Sequence, residues 1–239
     1  MTILTPVEME HAGTLLTGQA AIPSGTGPFP AVLVMHNALG LGTQVREVAG
    51  KLAKLGYVAV ATDMYGGGEA VSSPQEMGKA YQAVAKDPAL LRSRVRAWFD
   101  HVAALPQVDA GKIAAIGYCF GGSCVLELAR SGAPAKAVAS FHGILTSTAP
   151  MTPGAFGGEV AAFCGAHDPY APLEHIEGLR TEMADAGTRC TITTYGFAAH
   201  GFTDTASDVM GLAGVSYDAL ADRLSWAATV ELLKAVLDG

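Results

Sequence analysis

The sequence has few charged residues and no concentration of positive charge. Of its 239 residues, 15% are charged and 50% are hydrophobic, and the formal net charge is −7 at pH 7. A chain of this composition buries a large core and does not remain disordered. Because nucleic acids and anionic membranes attract clusters of lysine and arginine, we expect this acidic chain to bind neither.

Cysteine is also scarce, and its spacing matches neither a metal site nor a redox motif. There is no C-x-x-C pair, and the four cysteines are scattered: Cys119, Cys124, Cys164 and Cys190. Scattered thiols favour a reducing compartment in which cysteines stay free. No H-E-x-x-H pattern or cluster of histidine and aspartate occurs, so neither a metal nor another cofactor is expected.

Long apolar runs are missing as well. No apolar stretch is long enough to span a bilayer, and Met1–Pro6 is too short and too polar for a signal peptide. These absences predict a cytoplasmic protein that does not enter a membrane.

Short apolar runs alternate with helical patterns along the chain. Residues 31–35 and 137–141 are typical of strands that are covered on both faces. The alternation predicts one α/β domain over residues 1–239, with a mostly parallel central sheet and helices on both faces. Residues 13–20 are predicted to form an edge strand, and the glycine- and serine-rich segment 64–73 a loop over the functional site.

The segment Gly117-Tyr118-Cys119-Phe120-Gly121-Gly122 has the spacing of a nucleophile elbow, with cysteine at the centre. Such an elbow holds its nucleophile in a strained turn between a strand and a helix, and small flanking residues allow close approach. A buried strand pattern over Lys112–Gly117 and a helical pattern over Ser123–Arg130 supply that context. Cys119 is therefore a candidate nucleophile; the alternative is a glycine-rich turn with an inert buried cysteine.

Two more motifs follow later predicted strands, namely Asp168-Pro169 and His200-Gly201. The order nucleophile, acid, histidine is the order found in α/β-hydrolases. His200 would accept the proton of the thiol, and Asp168 would orient the imidazole. Each motif alone has an ordinary explanation, since Asp168 before Pro169 could cap a helix and His200 could be a surface histidine.

Together these segments resemble the dienelactone hydrolase family of α/β-hydrolases, and the resemblance covers nearly the whole chain. The segments that carry it are His36-Asn37, Gly117–Gly122, Asp168-Pro169 and His200-Gly201-Phe202. The resemblance implies an α/β-hydrolase fold without a large cap domain and a triad of Cys119, His200 and Asp168. It also implies an oxyanion hole formed by the backbone N–H groups of Phe120 and Ala38.

Three positions depart from the family pattern. Where typical members have a glutamate that contacts the resting thiol, this chain has Asn37, so we expect a resting thiolate–imidazolium pair without a carboxylate gate. The two arginines of the family's substrate-carboxylate site are replaced by Met77 and Asp204, and Lys79 and Arg92 are the alternative cations for that site. Because an arginine fork is the natural partner of a carboxylate, its loss predicts neutral, hydrophobic substrates.

The predicted activity is hydrolysis of neutral activated esters or lactones, aryl esters in particular, through a covalent intermediate on Cys119. Neutral phosphotriesters are a possible secondary substrate class, and carboxymethylenebutenolidase-type hydrolysis of dienelactone is the alternative substrate preference. A thiol acyl carrier, a redox protein and a non-catalytic binding protein remain open as other classes. A small-molecule substrate is the expected partner, and the protein is expected to be a monomer or a homodimer.

Eight side chains are predicted to line or border the substrate pocket. They are Asn37, Tyr65, Met77, Tyr81, His142, Tyr170, Phe202 and Asp204. His36 and His167 are instead expected to make structural hydrogen bonds.

Overall fold

An eight-stranded sheet runs through the centre of the computed structural model, which describes residues 3–238. The strands are β1 (Leu4–His11), β2 (Thr14–Ala21), β3 (Phe29–Met35), β4 (Val58–Thr62), β5 (Val108–Tyr118), β6 (Ala137–Phe141), β7 (Glu159–Gly165) and β8 (Cys190–Tyr195). Their spatial order is β1-β2-β4-β3-β5-β6-β7-β8. All pairs from β4 to β8 are parallel, which confirms the mostly parallel sheet.

Helices cover both faces of the sheet, as predicted. They are α1 (Thr43–Lys54), α2 (Pro74–Ala85), α3 (Pro88–Ala103), α4 (Phe120–Arg130), α5 (Leu173–Asp185) and α6 (Ala219–Leu237). Side chains of α2 to α5, such as Trp98 and Leu128, belong to the core cluster on one face. Side chains of α1 and α6, such as Leu52 and Leu233, belong to the cluster on the other face. No cap domain is inserted among residues 3–238.

The central strand β3 shows why its apolar run is continuous. Leu33 and Met35 pack into the first core cluster, whereas Val32 and Val34 pack into the second. Because successive side chains of a strand point to opposite faces, a strand covered on both faces needs an apolar residue at every position.

The edge-strand prediction for residues 13–20 was wrong. Strand β2 pairs antiparallel with β1 on one side and with β4 on the other, and β1 forms the edge. In β1, Val7 and Met9 are buried while Glu8 and Glu10 are exposed. This is the alternation of a strand with one solvated face, and it is weak in the sequence because only two apolar side chains carry it.

A buried ion network fastens the segment after β6 to the helices. The guanidinium of Arg130 contacts Glu127 at 3.0 Å and Glu182 at 2.7 Å, and it donates to the carbonyl oxygen of Leu145 at 2.7 Å. Its side chain is 1% exposed. A charge so deeply buried is tolerated because two carboxylates and a carbonyl oxygen surround it.

We expect Arg130→Met to lower the free energy of unfolding by about 3–5 kcal/mol, because it leaves buried carboxylates without their shared cation. The control is Arg180→Met, which removes a pair with Glu177 whose side chains are 63% and 54% exposed. That exposed pair is worth at most about 1 kcal/mol. Chemical denaturation measures both values, and equal losses would contradict the assignment of a buried network.

Candidate active site

The polypeptide turns from β5 into α4 within the single residue Cys119. Its backbone has φ 54° and ψ −112°, in the left-handed region that residues other than glycine rarely adopt. Strain of this kind costs about 1–3 kcal/mol and persists only where the surroundings hold it. Here the Cys119 N–H donates to the carbonyl oxygen of Phe141 at 2.9 Å. Helix α4 begins at Phe120, three residues earlier than predicted, because the turn is so short.

Two glycines make this turn possible. A Cβ atom on Gly117 would overlap the carbonyl oxygen of Gly121, and a Cβ atom on Gly121 would overlap the carbonyl oxygen of Met35. Any side chain at either position would therefore push β5, α4 and β3 apart. The close approach places the thiol at the carboxyl end of the sheet.

The structure brings Cys119, His200 and Asp168 into one hydrogen-bonded row. The Nε2 atom of His200 is 3.1 Å from the Sγ atom of Cys119, and its Nδ1 atom is 2.9 Å from Oδ2 of Asp168. Asp168 and His200 are buried, with 4% and 7% of their surfaces exposed. Asp168 follows β7 and His200 follows β8, so neighbouring parallel strands deliver both side chains to the same edge.

The surroundings of His200 favour its protonated form. Burial alone lowers its pKa, but the hydrogen bonds with Asp168 and Cys119 and the charges of these groups outweigh burial and raise the pKa to about 10. The imidazole is therefore protonated at neutral pH. A cation beside a cysteine is the partner that a thiolate requires.

Two backbone N–H groups face no acceptor near the thiol. Among residues 3–238, neither the N–H of Phe120 nor that of Ala38 has a hydrogen-bond acceptor. Phe120 begins helix α4, where the helix dipole favours negative charge. The peptide groups around Ala38 are held in place, since Tyr65 Oη donates to the Ala38 carbonyl oxygen at 3.2 Å and Leu39 N–H donates to Asn37 Oδ1 at 2.9 Å.

The sequence profile of the dienelactone hydrolase family matches residues 16–237. The chain belongs to this family. Among solved structures, m3DLH shares 36% identity with a TM-score of 0.92 and covers 99% of both chains. The dienelactone hydrolase-like promiscuous phosphotriesterase P91, from metagenomic libraries, shares 34% identity with a TM-score of 0.92 over 98% of both chains.

A relative from Synechocystis, which carries the provisional name carboxymethylenebutenolidase, is 29% identical over 212 residues, or 83% of this chain and 85% of that protein. Membership in the dienelactone hydrolase family makes this chain a hydrolase of the ester and lactone class with a small-molecule substrate. Within residues 3–238, no helix has the length and apolarity needed to cross a bilayer. No group of His, Cys, Asp or Glu in that range could hold a metal ion.

An open cavity of about 300 Å³ lies beside α4 in this member of the dienelactone hydrolase family. Its lining residues are Tyr81, Ala85, Pro88, Leu91, Phe120, Ser123, Glu127, Ile144, Thr146, Ser147 and Thr148. Glu127 is the one charged side chain among them, and Arg92 and Arg130 neutralise it. The cavity therefore offers aromatic, aliphatic and hydroxyl surface but no unpaired charge.

Three of the predicted pocket residues lie close to the thiol or the cavity. Tyr65 stacks on Phe120 with ring centroids 5.5 Å apart, and Tyr81 meets Phe120 edge-on at 5.4 Å. Tyr170, which is 45% exposed, has its ring centroid 4.8 Å from that of His200. Aromatic surface thus borders the site from two sides.

The predictions for Phe202 and His142 as pocket residues were wrong. Phe202 is fully buried in the core, and the ring of His142 packs against it with centroids 5.1 Å apart. The chain turns at Gly201, with φ 71°, and directs the side chain of Phe202 inward. His142, which follows β6, packs against the rings of both Phe202 and His200. Sequence order alone does not show which side of this loop faces the cavity.

Two of the three departures from the family pattern, Asn37 and Asp204, lie side by side, and the third lies apart. Asn37 hydrogen-bonds with Gln44, Asp204 and Leu39 and makes no hydrogen bond with Cys119. Asp204 lies beside it, with Oδ2 3.2 Å from Asn37 Nδ2. Met77 is half-buried on α2 and is not among the residues that line the cavity.

His36 is structural, as predicted, whereas the prediction for His167 was wrong. His36 is fully buried, its Nδ1 lies 2.6 Å from the Asn37 carbonyl oxygen, and its Nε2 accepts the N–H of Met64 at 3.1 Å. Burial lowers its pKa and keeps it neutral. The side chain of His167 is exposed, and it makes no hydrogen bond among the described residues.

The sequence analysis missed three residues that hold the site together. The Asp63 carboxylate fastens the beginning of segment 64–73 by accepting four backbone N–H groups, those of Thr17, Tyr65, Gly66 and Gly68. An aspartate before a run of glycines is a turn signal that could have shown part of this. Gln44, in the first turn of α1, donates to Thr203 in the loop after β8, 159 residues away, and no local signal marks such a contact.

The hydrogen bond between His200 and Cys119 predicts that this thiol reacts faster than it would without the imidazole. At about pH 7 we expect iodoacetamide to alkylate Cys119 at least about tenfold faster in wild type than in His200→Ala, because a cation beside a cysteine favours the reactive thiolate. Mass spectrometry locates the label, and Cys119→Ser supplies the background of the other thiols.

Equal alkylation rates of Cys119 in wild type and in His200→Ala would refute the resting ion pair.

Proposed function

We propose that this chain hydrolyses neutral activated esters and lactones, aryl esters in particular, through a thioester on Cys119. The observation that carries the proposal is the hydrogen-bonded row from Cys119 through His200 to Asp168. Phe120, which follows the thiol in the sequence, lines a cavity without unpaired charge. A nucleophile, a base and an orienting carboxylate within hydrogen-bond reach are the parts that covalent acyl transfer needs.

The first half-reaction forms the thioester. The thiolate of Cys119 attacks the carbonyl carbon, and the carbonyl electron pair moves to oxygen. The N–H groups of Phe120 and Ala38 stabilise that oxyanion, which in other enzymes is worth about 10²- to 10³-fold in kcat per donor. When the tetrahedral intermediate collapses, the bond to the leaving oxygen breaks, and His200 gives that oxygen its proton.

The second half-reaction restores the enzyme. His200 is now neutral and takes a proton from a water molecule that attacks the thioester carbonyl. Collapse of this second intermediate releases the carboxylic acid and regenerates the thiolate beside the imidazolium. Asp168, held at 2.9 Å from Nδ1, fixes the ring orientation and stabilises its charged form in both steps.

The charges around the site support a preference for neutral substrates. Where the family pattern has arginines, this chain has Met77 and Asp204. Arg92, which pairs with Glu127 of the cavity wall, is held by that carboxylate at 2.6 Å and by the carbonyl oxygen of Ala149 at 2.6 Å. An anionic lactone would therefore meet no free cation among these residues and would be repelled by Asp204.

Neutral phosphotriesters are a second candidate substrate class. The neighbour P91, with 34% identity and a TM-score of 0.92, is named a promiscuous phosphotriesterase. In this chain the P=O oxygen would occupy the place of the ester oxyanion. Cys119 would displace the leaving group, and water would then cleave the phosphorus–sulfur bond.

A burst experiment with a p-nitrophenyl ester tests the proposed function. We expect wild type to turn over, and Cys119→Ala and His200→Ala to lose at least about 10³-fold in kcat, since triad members act as a unit. Cys190→Ala is the matched control, because that half-buried thiol lies in β8 away from the row. A single burst of p-nitrophenol without further turnover would indicate an acyl carrier. No release of p-nitrophenol would indicate a binding protein.

The charge preference is tested with a pair of phenyl esters that differ only in a terminal carboxylate. We expect kcat/KM to favour the neutral ester by at least about tenfold, which corresponds to about 1.4 kcal/mol. Asp204→Asn should reduce the difference in kcat/KM between the two esters, because it weakens the repulsion of the anionic ester. Asp185→Asn, at the exposed end of α5, should leave that difference unchanged. A preference of wild type for the anionic ester would contradict the proposal.

A further inference from the structure

Two amide side chains join the loop that contains Ala38 to the loop that contains His200. Asn37 Nδ2 donates to Gln44 Oε1 at 3.3 Å and to Asp204 Oδ2 at 3.2 Å. Gln44 Nε2 donates to Oγ1 of Thr203 at 3.2 Å and to its carbonyl oxygen at 3.3 Å. Each amide nitrogen has two protons, so both amides use their full donor capacity within this connection.

The connection continues from Thr203 to a buried imidazole beneath His200. Oγ1 of Thr203 lies 2.8 Å from Nε2 of His142, and the ring of His142 packs against that of His200 with centroids 5.1 Å apart. Burial, and then the charge of His200, lowers the pKa of His142 well below its usual range, so this second imidazole stays neutral.

Gln44 occupies the centre of this chain of hydrogen bonds. It lies in the first turn of α1, an element packed into the core through Val45 and Val48. From this rigid base it contacts Asn37, which precedes Ala38, and Thr203, which follows His200 by three residues. Displacements of about 1 Å in groups that surround a reaction cost about 10²-fold in rate.

We propose that Gln44 is a positioning residue that sets the Ala38 N–H and the His200 imidazole against each other for hydrolysis. The inference rests on the proposed function, because it assigns Gln44 a part in that reaction. Gln44 touches neither Cys119 nor the cavity lining. It acts through Asn37 on the oxyanion side and through Thr203 and His142 on the histidine side.

The first test is Gln44→Leu, which keeps the approximate size of the side chain and removes all its hydrogen bonds. We expect kcat on a neutral p-nitrophenyl ester to fall about 10- to 100-fold while KM changes less than about threefold, because the lost alignment matters in the transition state. The matched control is Glu47→Leu, at an exposed position of the same helix, which should keep the wild-type kcat and KM.

The second test separates positioning from a general loss of structure. In Gln44→Glu, the introduced carboxyl can still accept from Asn37, but in its ionised form it cannot donate to Thr203 and repels Asp204. The titratable groups that face this position are Asp204 and, beyond Thr203, the neutral His142. Protonation restores a donor, so kcat relative to wild type should rise as the pH falls from about 8 to about 5.

The outcomes are distinct. The positioning role is overturned if Gln44→Leu keeps the wild-type kcat. It is also overturned if the kcat of Gln44→Glu, divided by that of wild type, does not change with pH. Either result leaves the proposed hydrolase function intact. A wild type without Cys119-dependent turnover overturns the proposed function together with this inference. A fall in kcat for Gln44→Leu, joined by low-pH recovery in Gln44→Glu, supports it.

Discussion

The turn at Cys119 is the constraint on which the rest of the site depends. With φ at 54°, the chain leaves β5 and enters α4 without an intervening loop, so the helix crosses directly over the strand ends. That crossing is possible only because Gly117 and Gly121 have no side chains. The same geometry places the thiol at the carboxyl end of the sheet and leaves the Phe120 N–H, at the start of α4, without an acceptor among residues 3–238.

A parallel sheet brings the remaining groups to this turn. Strands β5, β7 and β8 all end at the same edge, so Cys119, Asp168 and His200 meet although they are far apart in the chain. Burial of His200 opposes its charge, and two hydrogen bonds outweigh that penalty. The balance holds because Asp168 is itself buried, where a carboxylate screened from water interacts strongly with an imidazolium.

The features that could be predicted from sequence are those set by local spacing. The elbow, the buried strands and the order of Cys119, Asp168 and His200 depend on residue types at short intervals, and the parallel sheet follows from their alternation. The inward orientation of Phe202 and His142 depends instead on packing between distant loops. The role of Gln44 could not be predicted for the same reason, since its partner Thr203 is 159 residues away.

Asn37 and Asp204, two of the departures from the family pattern, are joined by one hydrogen bond. The Asn37 amide has a second proton, which Gln44 accepts, and Gln44 extends the connection to the loop after His200. Asn37 and Gln44 carry no titratable group. The connection therefore constrains the geometry of the two loops without competing for the proton that the proposed reaction moves.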